Sequence, residues 1–198
     1  MRNLFEKSLE ESIDVKTKCL AYGYKSLNKL SVLSAETLAK GGKLLFCGNG
    51  GSAADAQHLV AELLGRFRSK FNRCALPALT LAQDTSTLTA CGNDLGFDKI
   101  YSRVLEAVGS PEDILIVLST SGNSSNVIQA LDMAKKKNIY SFGFLGGDGG
   151  LLKNLCDDHF IVPSSNTARI QEVHITLGHA LMQDIEEKLI ACNFLVSY

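Results

Sequence analysis

Two residue pairs in this chain have the types and spacing for proton transfer or metal ligation. His58 and Glu62 stand four residues apart in AADAQHLVAELLGRF, so on a helix both project from nearly one face. One can ligate a metal while the other handles a proton. Gln171 and His179 are eight residues apart in ARIQEVHITLGHAL, which at about 100° per residue leaves them roughly 80° apart and two turns distant. Both can reach a shared cavity. The same arithmetic equally admits Glu172, which lies closer to the His179 stripe, whereas His174 points well away; periodicity leaves Gln171 and Glu172 as alternatives. Taken alone, a His-x-x-x-Glu pair is more often a solvated helix pair. Beside a bound anion, a carboxylate, two imidazoles and an amide form a proton-transfer or zinc constellation.

Two loops offer such an anion site. The first, Gly48-Asn49-Gly50-Gly51-Ser52, follows the apolar run KLLFC and opens the helix carrying His58. Its glycines permit a tight turn with amide N–H groups close to a ligand, and the helix N-terminus adds partial positive charge. It is neither a dinucleotide fingerprint, since the acid expected about 20 residues on is absent, nor a Walker loop, since no Gly-Lys-Ser/Thr follows. The second loop, Ser119-Thr120-Ser121-Gly122-Asn123-Ser124-Ser125, follows DILIVLS and opens NVIQALDMAKKK. One hydroxyl suffices to cap a helix, so five around one glycine exceed capping and fit a phosphate monoester held by neutral donors. The segment Cys91-Gly92-Asn93-Asp94 reads either as a ligand-facing strand end or as an Asn-Asp turn. The stretch from Arg66 to Lys70 reads as a solvated helix end that could steer a phosphorylated substrate, and His159 as structural.

The elements that must position these groups form an α/β chain. With 198 residues, 45% hydrophobic and 21% charged, and only 3 Pro, the composition is that of one compact domain. A net charge of -1 provides no overall field for nucleic acid or an anionic membrane surface, so an acidic ligand needs a local site. No apolar run approaches the roughly 18 residues of a spanning helix, and the acidic start lacks a signal-peptide core, which suggests a cytoplasmic protein. The scattered cysteines Cys19, Cys47, Cys74, Cys91, Cys156 and Cys192 read as reduced thiols, some in the core. Residues 1–40 read as two helices meeting near Gly23, with Phe5, Leu9 and Ile13, then Leu27, Leu30 and Leu38, at helical intervals, docked on the core or on a partner subunit. From Gly41, the runs KLLFC, ALPALTLA, DILIVLS, YSFGFL and HFIVP alternate with helical segments, which predicts a parallel sheet covered on both faces, a three-layer α/β/α unit. Residues 164–192 close the chain as a helix, its apolar stripe of Ile170, Val173, Leu177, Leu181, Ile185 and Leu189 facing the core or a partner subunit.

The strings CGNGGSAADAQHLVAELLGRF, CGNDLGF, LSTSGNSSNVIQAL, GGDGG and ARIQEVHITLGHAL closely resemble the bacterial phosphoheptose isomerases of the sugar isomerase (SIS) superfamily. The resemblance covers nearly the whole chain and is loosest in the first 35 residues. The Ser-Thr-Ser-Gly-Asn-Ser loop alone indicates only the superfamily; HLVAE and RIQEVHITLGH make it specific. The resemblance implies a flavodoxin-like SIS fold with a five-stranded parallel sheet, a homotetramer with active sites at subunit interfaces, and one zinc ion per subunit on His58, Glu62, Gln171 and His179. That choice of Gln171 over Glu172 comes from the resemblance. It also places the substrate phosphate on Ser119, Thr120, Ser121 and Ser124, with Ser52 and the Asn49-Gly50-Gly51 turn nearby. Asn93 and Asp94 become sugar contacts, with Glu62 and Gln171 also reaching the substrate. The implied reaction converts sedoheptulose 7-phosphate to D-glycero-D-manno-heptose 7-phosphate through an enediol, with Glu62 and His179 as the acid/base pair, supplying heptose for lipopolysaccharide core or capsule. One departure is Ala168, where some members carry an acid that touches the sugar. The alternatives are a non-catalytic SIS protein associating with the replication initiator, whose members lack the catalytic pair present here, a sugar-phosphate sensor, and an isomerase of another phosphosugar.

Overall fold

The computed structural model describes residues 3–22, 24–81 and 84–196. Strands β1 (Leu44–Gly48) and β3 (Ile114–Ser119) are buried along their whole length, as strands covered on both faces must be. With β2 (Ala78–Thr80), β4 (Tyr140–Gly146) and β5 (Asp158–Val162) they form a five-stranded sheet in the order β2-β1-β3-β4-β5, every pairing parallel. All five apolar runs singled out in the sequence are strands. ALPALTLA contributes only the three residues of β2, which begins just after Pro77, a residue with no N–H for the ladder.

The strand order makes the chain leave β1 outward to β2 and then cross back to β3, so the topological switch point lies between β1 and β3. Ligands of open parallel sheets bind beyond the strand ends at such a point. The two loops singled out above follow those two strands.

Alternate strand residues feed two cores. Leu44, Phe46, Ile114, Ile116, Leu118, Phe142 and Phe144 meet α1 (Leu4–Leu20), α2 (Lys25–Ala39), α3 (Gly51–Leu64) and α7 (Thr167–Ala191). On the other face, Leu45, Cys47, Leu115, Val117 and Leu145 meet α5 (Ile100–Val108) and α6 (Ser125–Lys136). The expected three layers are therefore present. On α7, Ile170, Val173, Leu181, Ile185 and Leu189 are buried, and Leu177 packs partly buried against the same core.

The N-terminal helices follow the sequence reading in position, with their junction at Gly23 outside the described residues. Leu27, Leu30 and Leu38 of α2 are buried as expected, whereas α1 buries Val15 and Cys19 instead of its Phe5, Leu9 and Ile13 stripe. Phe5 is 81% exposed. Helix α1 is tied to the start of α7 by polar bonds, Arg169 donating to the Ser8 carbonyl and Asn166 to Glu11. All six cysteines are free, Cys19 and Cys47 buried, and no helix among the described residues is long and apolar enough to cross a membrane.

Candidate active site

Helices α3 and α7 lie side by side and parallel on one face of the sheet, and two glycines set their approach. At Gly51 a Cβ would stand 2.5 Å from the Gln171 side-chain amide, and at Gly178 a Cβ would stand 2.7 Å from a Leu59 methyl. At the second of these levels, His58 Nε2 faces His179 Nε2 at 2.8 Å. His58 Nε2 also lies 3.2 Å from Glu62 Oε1, and ligand atoms of His58, Glu62 and His179 all fall within 4.8 Å of one another. The cluster is open at one side, with the His58 side chain 49% exposed against 22% for Glu62. Phe67 packs against the His179 ring.

The second turn of α7 separates the two candidates that periodicity left open. Gln171 reaches back to Gly51 at the N-terminus of α3, while Glu172 turns to Arg169 at 2.6 Å. His174 points away from the cluster, as expected: it is fully buried and hydrogen-bonds the Leu145 carbonyl through Nε2 at 3.1 Å. Burial pushes its pKa down to about 4.

The two loops are braced against each other. Asn49 and Asn126 exchange a reciprocal pair of amide hydrogen bonds, both 2.8 Å, and the Tyr101 hydroxyl donates to the Gly48 carbonyl and to Asn49. The side chain of Asn49 is thus occupied in joining the loops, leaving backbone amides to face a ligand. Gly50 has φ 57 and ψ -122 and caps α3 without a side-chain bond. A non-glycine residue is strained at such an angle. Ser52 is buried. In the second loop, Ser124 is the N-cap residue of α6, yet its hydroxyl makes no capping bond and lies 3.4 Å from Ser119 Oγ. The first turn of α6 therefore presents N–H groups without a side-chain cap beside the Ser119 and Ser124 hydroxyls, the arrangement an anion requires. Gly122 (φ +65) is clamped by the Gly147–Gly150 turn, where a Cβ would stand 2.1 Å from the Gly149 carbonyl oxygen. The GGDGG string thus serves to hold the second loop.

The SIS domain family matches residues 9–146. A phosphoheptose isomerase of Pelodictyon phaeoclathratiforme is 55% identical over 160 residues, 80% of this chain and 76% of that protein. Phosphoheptose isomerase 1 of Campylobacter jejuni is 48% identical over 188 residues, 94% of this chain and 99% of its own. The solved phosphoheptose isomerase of Neisseria gonorrhoeae is 40% identical, with a TM-score of 0.86 over 92% of this chain and 97% of that one. This chain belongs to the phosphoheptose isomerase family of SIS-domain proteins.

The donor set of this SIS domain fits a metal ion. Two imidazole nitrogens and a carboxylate oxygen converging from parallel helices are the mixed N/O ligands that zinc takes, and the cluster supplies them from His58, Glu62 and His179. Asp55, which the sequence reading passed over, sits one turn before His58. Its Oδ2 is buried without a hydrogen-bond partner, and burial raises its pKa while the His58 and His179 imidazoles draw it back down. The available signal was spacing: Asp55, His58 and Glu62 recur at three and four, one helix face.

Two expectations need correction. Asn93 and Asp94 occupy neither a strand end nor a turn; they lie in the last turn of α4 (Thr85–Leu95), exposed, with the Asn93 amide donating to Asp94 at 2.8 Å. Helix α4 starts when Asp84 caps it through Thr87 N–H, and the turn comes after it at Gly96 (φ 93). In the basic stretch Arg66, Ser69 and Lys70 are exposed as expected, but Arg68, its side chain 38% exposed, is engaged by the buried Glu186 at 2.6 Å. His159 lies within β5, half-buried, as a structural residue.

Proposed function

We propose that this phosphosugar isomerase converts sedoheptulose 7-phosphate to D-glycero-D-manno-heptose 7-phosphate, an early step in making activated heptose for lipopolysaccharide core or capsule. The observation that carries this reading is the convergence of His58, Glu62 and His179 between α3 and α7, next to two loops whose N–H and hydroxyl groups flank the switch point of the sheet. Ketose to aldose conversion takes a proton from C1 and returns one to C2, so it needs two acid/base groups facing one substrate.

In this account Ser119, Thr120, Ser121 and Ser124 hold the phosphate with the first turn of α6, and the Asn49-Gly50-Gly51-Ser52 turn orients the sugar through the Gly50 and Gly51 amides, the Ser52 N–H being held by the Asn49 carbonyl. Glu62 removes the C1 proton, giving an enediol, and His179 acts as the second acid/base across the substrate. His58, Glu62, Gln171 and His179 would hold a zinc ion, which would polarise the carbonyl and hydroxyl oxygens and stabilise developing enediolate charge; Glu62 and His179 cannot ligate tightly and move a proton at the same moment. Asp55 behind them adds negative charge that favours a cation. Asn93 and Asp94 contact the distal sugar hydroxyls.

The chain acts as one cytoplasmic domain, residues 1–198, in a homotetramer with sites at subunit interfaces. The exposed Phe5, Leu9 and Ile13 stripe of α1 supports this, because such a face is covered when copies associate. Glu62→Gln tests the chemistry: the variant should fold and associate as wild type but show no turnover of sedoheptulose 7-phosphate. Wild-type turnover by that variant removes Glu62 from the mechanism.

A further inference from the structure

Helix α3 ends with no basic residue in its last turn, so its final carbonyls must be satisfied from elsewhere. Arg73 does this from the loop beyond. Its side chain is 1% exposed and donates through one terminal nitrogen to the carbonyls of Leu63 at 3.0 Å and Cys74 at 2.9 Å, and through the other to the carbonyl of Glu62 at 2.9 Å. Its Nε donates to Glu186 Oε2 at 2.6 Å. Glu186 is equally buried, and its other oxygen accepts from Arg68 Nε at 2.6 Å. A planar guanidinium offers its donors in a fixed fork, so these partners keep one mutual geometry.

The strut joins the backbone of Glu62 on α3 to α7 beyond His179. Seven residues separate His179 from Glu186, which returns to nearly the same helix face about 10 Å along the axis. Apolar contact between Leu59 and Gly178 limits how closely the helices approach, but such contact is non-directional and does not stop one helix sliding along the other. A buried ion pair is also a poor stabiliser compared with apolar packing, since desolvation offsets its attraction. What it supplies is direction.

We infer that Arg73 and Glu186 are positioning residues that lock α3 and α7 in axial register and so set the placement of His58 and Glu62 against His179. The inference rests on the isomerase reading above, in which those three side chains act together on one substrate. Arg73→Lys keeps the charge but offers a single nitrogen, which cannot serve Glu186 and three carbonyls at once. The paired variant Arg73→Met, Glu186→Leu removes both charges and keeps the volume filled, avoiding a stranded buried charge. Glu186→Gln is the mildest change and completes the set.

Each variant is checked for folding by thermal melting, titrated with Zn2+ against a chelating dye, and assayed for kcat and KM. Folded variants should bind zinc about 10- to 100-fold more weakly, with kcat lowered by a similar factor. KM should change far less, because the loops after β1 and β3 are untouched. A folded paired variant with wild-type zinc affinity and wild-type kcat overturns the inference. Wild-type protein that takes no zinc and turns over no sedoheptulose 7-phosphate is a separate failure, that of the isomerase reading itself.

Discussion

Replacing Gly178 with alanine would press α7 away from α3 at the level of the His58–His179 pair. The new Cβ would stand 2.7 Å from one Leu59 methyl and 2.8 Å from the other, whereas ordinary carbon contacts are about 3.5–4.0 Å. Leu59 is itself fully buried, so turning its methyls aside means repacking the core. The helices must therefore part by roughly 0.8–1 Å, or Leu59 must leave its rotamer. Overpacking of this kind costs about 1–3 kcal/mol, while alanine in a helix interior gains about 1 kcal/mol over glycine. The net loss of stability is about 0–2 kcal/mol, a fall of at most ~8 °C in melting temperature for a chain of this size. The effect on turnover should be larger. Opening the 2.8 Å imidazole separation by most of an ångström misplaces groups that must face one substrate, which costs on the order of 100-fold. Melting curves and kcat on one preparation separate the two effects. A Gly178→Ala protein that melts higher than wild type and keeps full turnover would refute the claim that this glycine sets the helix spacing.

Three further outcomes follow from particular contacts. Ser121→Ala should raise KM roughly tenfold while leaving kcat near wild type, because one donor to a charged phosphate is lost; an unchanged KM in steady-state kinetics would move the phosphate elsewhere. Gly122→Ala places a Cβ 2.1 Å from the Gly149 carbonyl oxygen at φ +65, where backbone must move, so the loop should lose inorganic phosphate binding and the protein several degrees of melting temperature. His174 carries a pH dependence: its pKa falls from 6.5 to about 4 in the fold, so the unfolded chain takes up a proton that the folded chain refuses. Its contribution is fully present above about pH 6.5 and is lost as pH falls toward 4, a drop of about 2 kcal/mol between pH 7 and pH 5. His174→Gln, neutral at both values, should lose that part of the difference in denaturant unfolding measured at the two pH values.

The parts of the site built on periodicity and turn chemistry were legible before any coordinates. Apolar runs without alternation marked strands covered on both faces, and glycine and hydroxyl clusters after two of them marked the loops at the switch point. The four-residue spacing of His58 and Glu62 was enough to place both on one face, but which residue at the start of α7 turned inward was not. That depends on Arg169 engaging Glu172 one helical turn away and on Gly51 leaving room for Gln171, a relation across more than a hundred residues. Arg73 was illegible for the same reason. A lone arginine in a loop reads as solvated until the carbonyl ends of α3 and the carboxylate of Glu186 are seen around it. The segment carrying Asn93 and Asp94 failed differently: threonine, glycine and asparagine have poor helix propensity, yet the Asp84 cap and packing near α5 make it a helix. The α1 stripe was read from the correct period, but period alone does not say which face is covered.

The central claim is a proton shift on sedoheptulose 7-phosphate, and proton NMR of the purified protein with that sugar in D2O tests it most directly. The account predicts the aldoheptose 7-phosphate product with solvent deuterium at C2, the carbon that receives the proton, since an exchanging enediol loses its C1 proton to a base open to solvent. No product, even with zinc added, would contradict it.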